Sequence, residues 1–250
     1  AEARIDPIAD AETVETELML AELESLEKRI KPLEKKANSG EKDAREQLAL
    51  MMKAVTLLRE GKPARQATLA PEERAAFAQL GLMTAKPVLY VLNVEEASAA
   101  TGNPVSAKAE AMAKAQGARS VVISARIEEE IAQMPQDERA DFLESLGLEE
   151  PGLNRLIRAG YELLGLLTFF TVGPKEARAW TVTGGSRAPQ AAGVIHTDFE
   201  HGFIRAETIA YADYVNGKGE AGAREAGKFR LEGKDYAVQD GDVMHFRFNT

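Results

Sequence analysis

At 250 residues, with 44% apolar and 28% charged side chains, no cysteine and a formal net charge of −9, the chain reads as an acidic globular protein of one large domain or two smaller ones. The missing cysteines exclude a disulfide framework, a thiolate metal site and a thiol nucleophile. The longest apolar stretches, Pro87 to Leu92 and Leu163 to Val172, fall far short of the roughly 18 residues of a membrane span, and the acidic excess argues against wholesale attraction to nucleic acid. With no basic-then-apolar leader at its start, the expectation is a cytoplasmic protein. The sequence opens Ala1-Glu2-Ala3-Arg4 without Met and enters a helical pattern at once, so it is expected to continue something that came before.

From Asp10 the apolar residues Met19, Leu23, Leu26, Ile30, Leu33 and Ala37 recur at steps of four and three, the seam of a coiled coil. Asn38-Ser39-Gly40 breaks this helix. A second follows with Ala44, Leu48, Met51, Val55 and Leu58 and ends at Gly61, with Pro63 beyond. The pair predicts an antiparallel hairpin. Pro32, lacking an N–H, should kink the first helix or mark a join.

After a short helix near Pro71–Leu80, the run Lys86 to Asn93 is nearly all apolar, as a buried parallel strand would be. A helix over Pro104–Gly117 leads to a second such run, Ser120 to Ser124, and then to helices near Ile127–Met134, Gln136–Leu146 and Leu153–Leu164. Strand, helix, strand, helix is α/β grammar, but two strands do not make a doubly wound sheet. From about Leu167 the composition shifts toward Phe, Tyr, Gly and Thr. Strand-like pieces appear at Thr168–Val172, Ala177–Thr183, Phe203–Ile209, Phe229–Leu231 and Val243–Phe248. Residues 167–250 hold 10 basic and 11 acidic side chains against 21 and 29 in residues 1–166, so the acidity belongs to the helical part and the tail reads as a separate α+β module.

Chemistry gathers at the strand ends. Ligands of open α/β sheets sit at the carboxyl ends of strands, and here one strand ends in Asn93-Val94-Glu95-Glu96 and the next in Ser124-Ala125. An Asn amide offers both a donor and an acceptor to a purine edge, and a carboxylate three residues on can accept from an amino group or ring N–H. Backbone groups of Val94 and Ser124-Ala125 could complete the contacts. A strand ending in Asn is common, so the tetrapeptide gains weight only from the second strand. Of the three histidines, His196, His201 and His245, the first two are five residues apart and do not share a helical face, and no metal site is assigned. Gly184-Gly185-Ser186 and Gly217-Lys218-Gly219 read as turns. On the hairpin, Lys28, Arg29, Lys31, Lys35, Lys36 and Lys42 form a basic tip suited to phosphates, or else a solvated face with Glu24–Lys28 and Glu27–Lys31 pairs.

Arg4-Ile5-Asp6-Pro7, the stretch Thr84 to Val94, Gly152-Leu153-Asn154-Arg155-Leu156-Ile157-Arg158-Ala159-Gly160-Tyr161, Gln190 to Glu200, Glu232-Gly233-Lys234-Asp235-Tyr236 and Gln239-Asp240-Gly241-Asp242-Val243 together resemble the YchF family, the bacterial Obg-like ATPases of the P-loop GTPase superfamily. The resemblance runs from Arg4 to Asn249. It implies a fold of mixed α/β and α+β class. Residues 1–10 and 63–166 would be the C-terminal part of a P-loop G domain, a parallel-sheet remnant. Residues 11–62 would be a coiled-coil helical hairpin inserted into it, and residues 167–250 a ubiquitin-like β-grasp TGS domain.

It also implies a ribosome-associated, cytoplasmic ATPase that binds ATP in preference to GTP and uses Mg²⁺. Its partners would be the ribosome or ribosomal RNA, with no membrane and no sequence-specific DNA. Carried over, Asn93 and the Val94 backbone would contact the base, Glu96 would take the specificity-carboxylate position, and Ser124-Ala125 would be the last G motif. The guanine-selecting Asn-Lys-x-Asp reads Asn93-Val94-Glu95-Glu96 here, a departure that agrees with adenine use. Lys28, Arg29, Lys31, Lys35 and Lys36 would face the partner. Neither Gly-x-x-x-x-Gly-Lys-Ser/Thr nor Asp-x-x-Gly occurs in the 250 residues, so Mg²⁺ ligands and catalytic groups are missing and this chain alone is expected not to hydrolyse ATP. The alternative is a non-catalytic RNA- or ribosome-binding module made of hairpin and TGS domain.

Overall fold

A computed structural model describes residues 5–249; Arg4 of the Arg4-Ile5-Asp6-Pro7 run, the three residues before it and Thr250 lie outside the described residues. The chain divides into two compact units, Ala1–Ala159 and Gly160–Thr250, of mixed α/β architecture.

In the first unit, α1 (Pro7–Asn38) begins where the Asp6 carboxylate accepts from the Ala9 N–H at 3.2 Å and Pro7 supplies a preset φ at a position that needs no donor. The helix is continuous through Pro32, so that proline is no join. Gly40, at φ +101°, makes the reversal into α2 (Lys42–Arg59), and Gly61, at φ +68°, ends it. Leu26, Ile30, Met51, Val55 and Leu58 interlock along the predicted seam with Leu50, which the seam did not include, and Phe77, Leu80 and Leu82 from α3 (Glu73–Ala78) and its exit close the open end.

Polar contacts fasten that end. The Glu22 carboxylate accepts from the N–H groups of Met83 and Thr84 and from the Thr84 hydroxyl, which in turn accepts from the Ala64 N–H at 3.2 Å. Arg65 pairs with Glu15 at 2.5 Å and Lys53 with Glu73 at 2.7 Å. Glu27 reaches across to Arg59 at 2.7 Å rather than along the helix to Lys31.

Beyond the hairpin, β1 (Leu89–Asn93), α4 (Pro104–Ala115) and β2 (Arg119–Ile123) form a strand–helix–strand unit with the two strands parallel and Asn93 opposite Ile123. The expected strand began at Lys86; it starts at Leu89 because Pro87 has no N–H to donate and Lys86 closes a turn onto the Met83 carbonyl. Nor is β1 buried, as its composition suggested. Val91 is 44% exposed, since the sheet has two strands and nothing flanks β1 on its other edge among the described residues. Helices α5 (Ala125–Gln133) and α6 (Arg139–Ser145) pack Ile127, Ile131, Leu143 and Leu148 together with Ala99. The Glu128 carboxylate then accepts from Gly152 and Leu153 N–H at 2.7 and 3.1 Å, capping α7 (Gly152–Leu164).

In the second unit the strands are β3 (Leu166–Val172), β4 (Ala177–Thr183), β5 (Phe203–Ala210), β6 (Arg230–Glu232) and β7 (Asp242–Phe248). They form one sheet in the order β4-β3-β7-β5-β6, with β3 and β7 parallel and the other pairs antiparallel. Helices α8 (Ala188–Ile195) and α9 (Thr197–His201) lie between β4 and β5 in sequence, α10 (Tyr211–Asn216) and α11 (Glu220–Glu225) between β5 and β6. Three alanines of α8, Ala188, Ala191 and Ala192, let it sit close against Phe169, Phe203, Met244 and Phe246. Phe169 and Phe246 meet edge-to-face at 5.9 Å.

Candidate functional site

Strand β1 ends at Asn93 with its side chain aimed across the sheet end, where Asn93 Oδ1 accepts from the Ala125 N–H at 2.9 Å. Ala125 is the first residue of α5, so this bond satisfies one of the helix's free N-terminal donors and ties the β1 exit to the β2 exit. The Val94 N–H is itself taken by the Ile123 carbonyl at 2.9 Å, extending the parallel ladder by one rung. Ser124 occupies the N-cap position of α5 without capping it. It is 3% exposed and its hydroxyl has no hydrogen-bond partner among the described residues, an uncommon state for a buried polar group.

The two adjacent carboxylates have different fates. Glu95 is folded back onto its own turn, accepting from the Ser98 hydroxyl at 2.5 Å and the Asn103 amide at 3.1 Å, and the Ser98 bond foremost holds its pKa below the usual carboxylate value. Glu96 points the other way and pairs with Arg126 Nε at 2.7 Å. An open groove of about 620 Å³ lies at this end of the sheet, lined by Asn93, Ala125, Arg126, Glu129, Glu130 and Gln133.

Asn93, Val94, Glu96, Ser124 and Ala125, singled out separately, therefore converge on one end of the β1–β2 pair. Arg126, Glu129, Glu130 and Gln133 were not singled out. Their spacing of three, one and three marks one face of α5, opposite Ile127 and Ile131, and this polar periodicity was the available signal. Chemically, the arrangement offers amide, carboxylate and guanidinium groups to a planar polar ligand. It holds no nucleophile with an adjacent base.

The basic residues of the hairpin do not form one cluster. Arg29 donates to the Leu80 carbonyl at 3.1 Å, holding the end of α3 against α1, so it belongs to the packing of the hairpin base. Lys28 pairs with Glu24 at 2.5 Å and Lys42 with Glu46 at 3.7 Å. Lys31, Lys35 and Lys36 have no ion pair among the described residues; Lys35 and Lys36 lie in the last turn of α1, where cations suit the helix dipole. His196 accepts from the Asp198 N–H at 3.2 Å and caps α9. Among the described residues no group of three or more His, Cys, Asp or Glu side chains could hold a metal ion, and no helix is long and apolar enough to cross a membrane.

With this geometry in place, the chain can be compared with known proteins. Residues 166–249 match the family model YchF-GTPase_C, described as a protein of unknown function (DUF933). Proteins called ribosome-binding ATPase YchF match over almost the whole chain. The one from Haemophilus ducreyi is 54% identical over 247 residues and the one from Bacillus subtilis 50% over 249, each alignment covering 99% of this chain and 68% of the relative. Among solved structures, the Schizosaccharomyces pombe YchF GTPase superposes with a TM-score of 0.86 at 33% identity, covering 99% of this chain and 68% of that one. A GTP-binding protein from Pyrococcus horikoshii shares the fold alone, at a TM-score of 0.57 and 19% identity.

Proposed function

The chain belongs to the YchF family, and from that premise we propose that it is the C-terminal portion of a ribosome-associated ATPase, carrying the base-recognition end of its nucleotide site. In this reading residues 1–10 and 63–166 are the C-terminal part of a P-loop G domain, residues 11–62 the coiled-coil hairpin, and residues 167–250 a β-grasp TGS domain. The parallel pair β1–β2, with its uncovered strand, is the remnant of a larger sheet.

The observation that carries the proposal is the Asn93–Ala125 hydrogen bond of 2.9 Å. It holds the two strand exits at a fixed spacing and leaves the Asn93 NH₂ free to donate to an acceptor on a purine. Beside it the α5 face supplies further polar groups, with Glu96 three residues along as the carboxylate that reads the base edge. In this reading the nucleotide is ATP, with GTP bound less well, a choice supported by the relatives' names and by the departure of Asn93-Val94-Glu95-Glu96 from Asn-Lys-x-Asp.

Mg²⁺ enters as the companion of the triphosphate in the whole ATPase. The residues described here do not fit it, because no three ligands gather and no P-loop is present, so no step is assigned to it. These 250 residues should release no phosphate from Mg²⁺–ATP. The test is calorimetric titration of the protein, expressed from its complete reading frame, with ADP: Asn93→Ala should weaken binding by at least tenfold. Unchanged affinity would reject the pocket.

A second reading, a ribosome- or RNA-binding module acting through the hairpin, is favoured by one observation, the unpaired state of Lys31, Lys35 and Lys36. Replacing all three by Glu should reduce co-sedimentation with ribosomes, more strongly at low salt than at high salt. Equal co-sedimentation at low salt would remove these residues as a contact.

A further inference from the structure

Arg126 is the one cation among the residues lining the groove, and it stands between two carboxylates. Its Nε lies 2.7 Å from the Glu96 carboxylate, on the loop leaving β1, and 3.9 Å from Glu130, one turn along its own helix. The first of these contacts joins the two chain segments that form the base end of the site. Glu95 cannot substitute for Glu96 there, being held by Ser98 and Asn103. Glu96, the carboxylate at the base-reading position proposed above, is therefore already engaged by a guanidinium, while Glu129 and Glu130 stand along the α5 face of the groove.

That engagement discriminates between purines. Guanine presents N1–H and an N2 amino group side by side, two donors that pair best with a carboxylate having both oxygens open in one direction. Adenine presents one amino donor at N6 beside an acceptor at N1. A bare carboxylate repels that N1 lone pair, whereas a carboxylate partly neutralised by Arg126 still accepts from N6 and repels N1 less. We propose that Arg126 is a specificity-determining positioning residue, acting through Glu96 to tilt the groove from guanine toward adenine. This deepens the nucleotide-site reading and rests on it.

Specificity is a difference of affinities, so the ratio of two ligands is the quantity to measure. The Arg126 side chain is 75% exposed, so its replacement leaves the fold intact, and an exposed pair sets the scale of the effect at roughly three- to fivefold. The protein expressed from its complete reading frame is titrated calorimetrically with ADP and with GDP as wild type, Arg126→Ala, Arg126→Lys, Glu96→Gln and the double variant Arg126→Ala with Glu96→Gln. Arg126→Ala should move the GDP-to-ADP affinity ratio toward GDP by about three- to fivefold, and Arg126→Lys should restore part of the wild-type ratio. In the Glu96→Gln background the same Arg126→Ala change should leave the ratio where it is, because the residue it acts through is gone.

A ratio unmoved by Arg126→Ala, or moved equally with and without the Glu96 carboxylate, overturns the role of Arg126 while leaving the pocket standing. A merely structural arginine would weaken both nucleotides together and fall under the first of these outcomes. If the wild type binds neither nucleotide, or Asn93→Ala changes neither affinity, the pocket itself is wrong and the inference falls with it.

Discussion

The β1–β2 pair and the β3–β7 sheet are built from similar residues, yet their strands live in different surroundings. Leu89-Tyr90-Val91-Leu92 is as apolar as Leu166 to Val172, but no residue of β1 is fully buried, whereas Phe169 in β3 is entirely enclosed by Phe246, Met244 and the alanines of α8. Strand hydrophobicity states what a segment can bury; the layers around it decide what is buried. The polar groups follow the same division. Asp242, at the start of β7, accepts from the Tyr236 hydroxyl at 2.7 Å, from Arg230 at 3.1 Å and from the Gln239 N–H at 2.9 Å. At the end of the β1–β2 pair, Ser124 keeps a buried hydroxyl without a partner and the ion pairs are open to water. One sheet satisfies its buried carboxylate internally, and the other leaves polar groups at its strand ends open to solvent.

The sharpest way to break this comparison is to cut equivalent apolar side chains from both sheets. Phe169→Ala should cost about 3–5 kcal/mol, because it removes an enclosed ring and leaves a cavity. Val91→Ala, at a residue already 44% exposed, should cost less than about 1 kcal/mol. Urea denaturation followed separately for each unit measures both, and similar costs would mean that β1 is covered as thoroughly as β3.

A smaller effect is expected at the hairpin base, where Thr84 is buried and its hydroxyl bridges Glu22 and the Ala64 N–H. Thr84→Val keeps the shape, strands the Ala64 N–H and removes one of the three donors to Glu22, so it should destabilise by about 1–3 kcal/mol, with faster amide exchange at Ala64. Unchanged exchange there would mean that the hairpin end is held by its apolar contacts alone.

Much of this organisation was legible because it is local. The two hairpin helices announce themselves through a seam of four and three and through glycines that take positive φ at their ends, and all five strands of the second unit begin and end within two residues of where composition put them. The strand order was not legible, since pairing β3 in parallel with β7 joins residues more than 70 apart. The same limit governs the site. Asn93 and Ser124-Ala125 stand at strand ends that the sequence marks, while the pairing of Arg126 with Glu96 joins a helix to another loop and leaves no local signal. Arg29 was misplaced at a basic tip for a like reason: its partner, the Leu80 carbonyl, is 51 residues away and is a backbone atom that no charge pattern reveals.

The smallest expected effect sharpens the contrast through pH. Tyr236 donates to a carboxylate that is itself buried, and burial first, then the bond to Asp242 and its charge, push the phenol's pKa above the ordinary tyrosine value. A group whose pKa is raised by folding is bound to its proton more tightly in the folded state, so its contribution is fully present below the unfolded value, near about 10, and is lost as pH rises beyond it. The second unit should therefore lose thermal stability on going from neutral pH to pH values above about 10, with part of that loss traceable to this one hydroxyl. Tyr236→Phe should lower stability at neutral pH by roughly 1 kcal/mol and flatten the alkaline decline. Melting curves of both proteins across that range measure the two effects together. Parallel curves would show that the Asp242 cluster does not depend on the phenol's proton and is held by Arg230 and the Gln239 N–H.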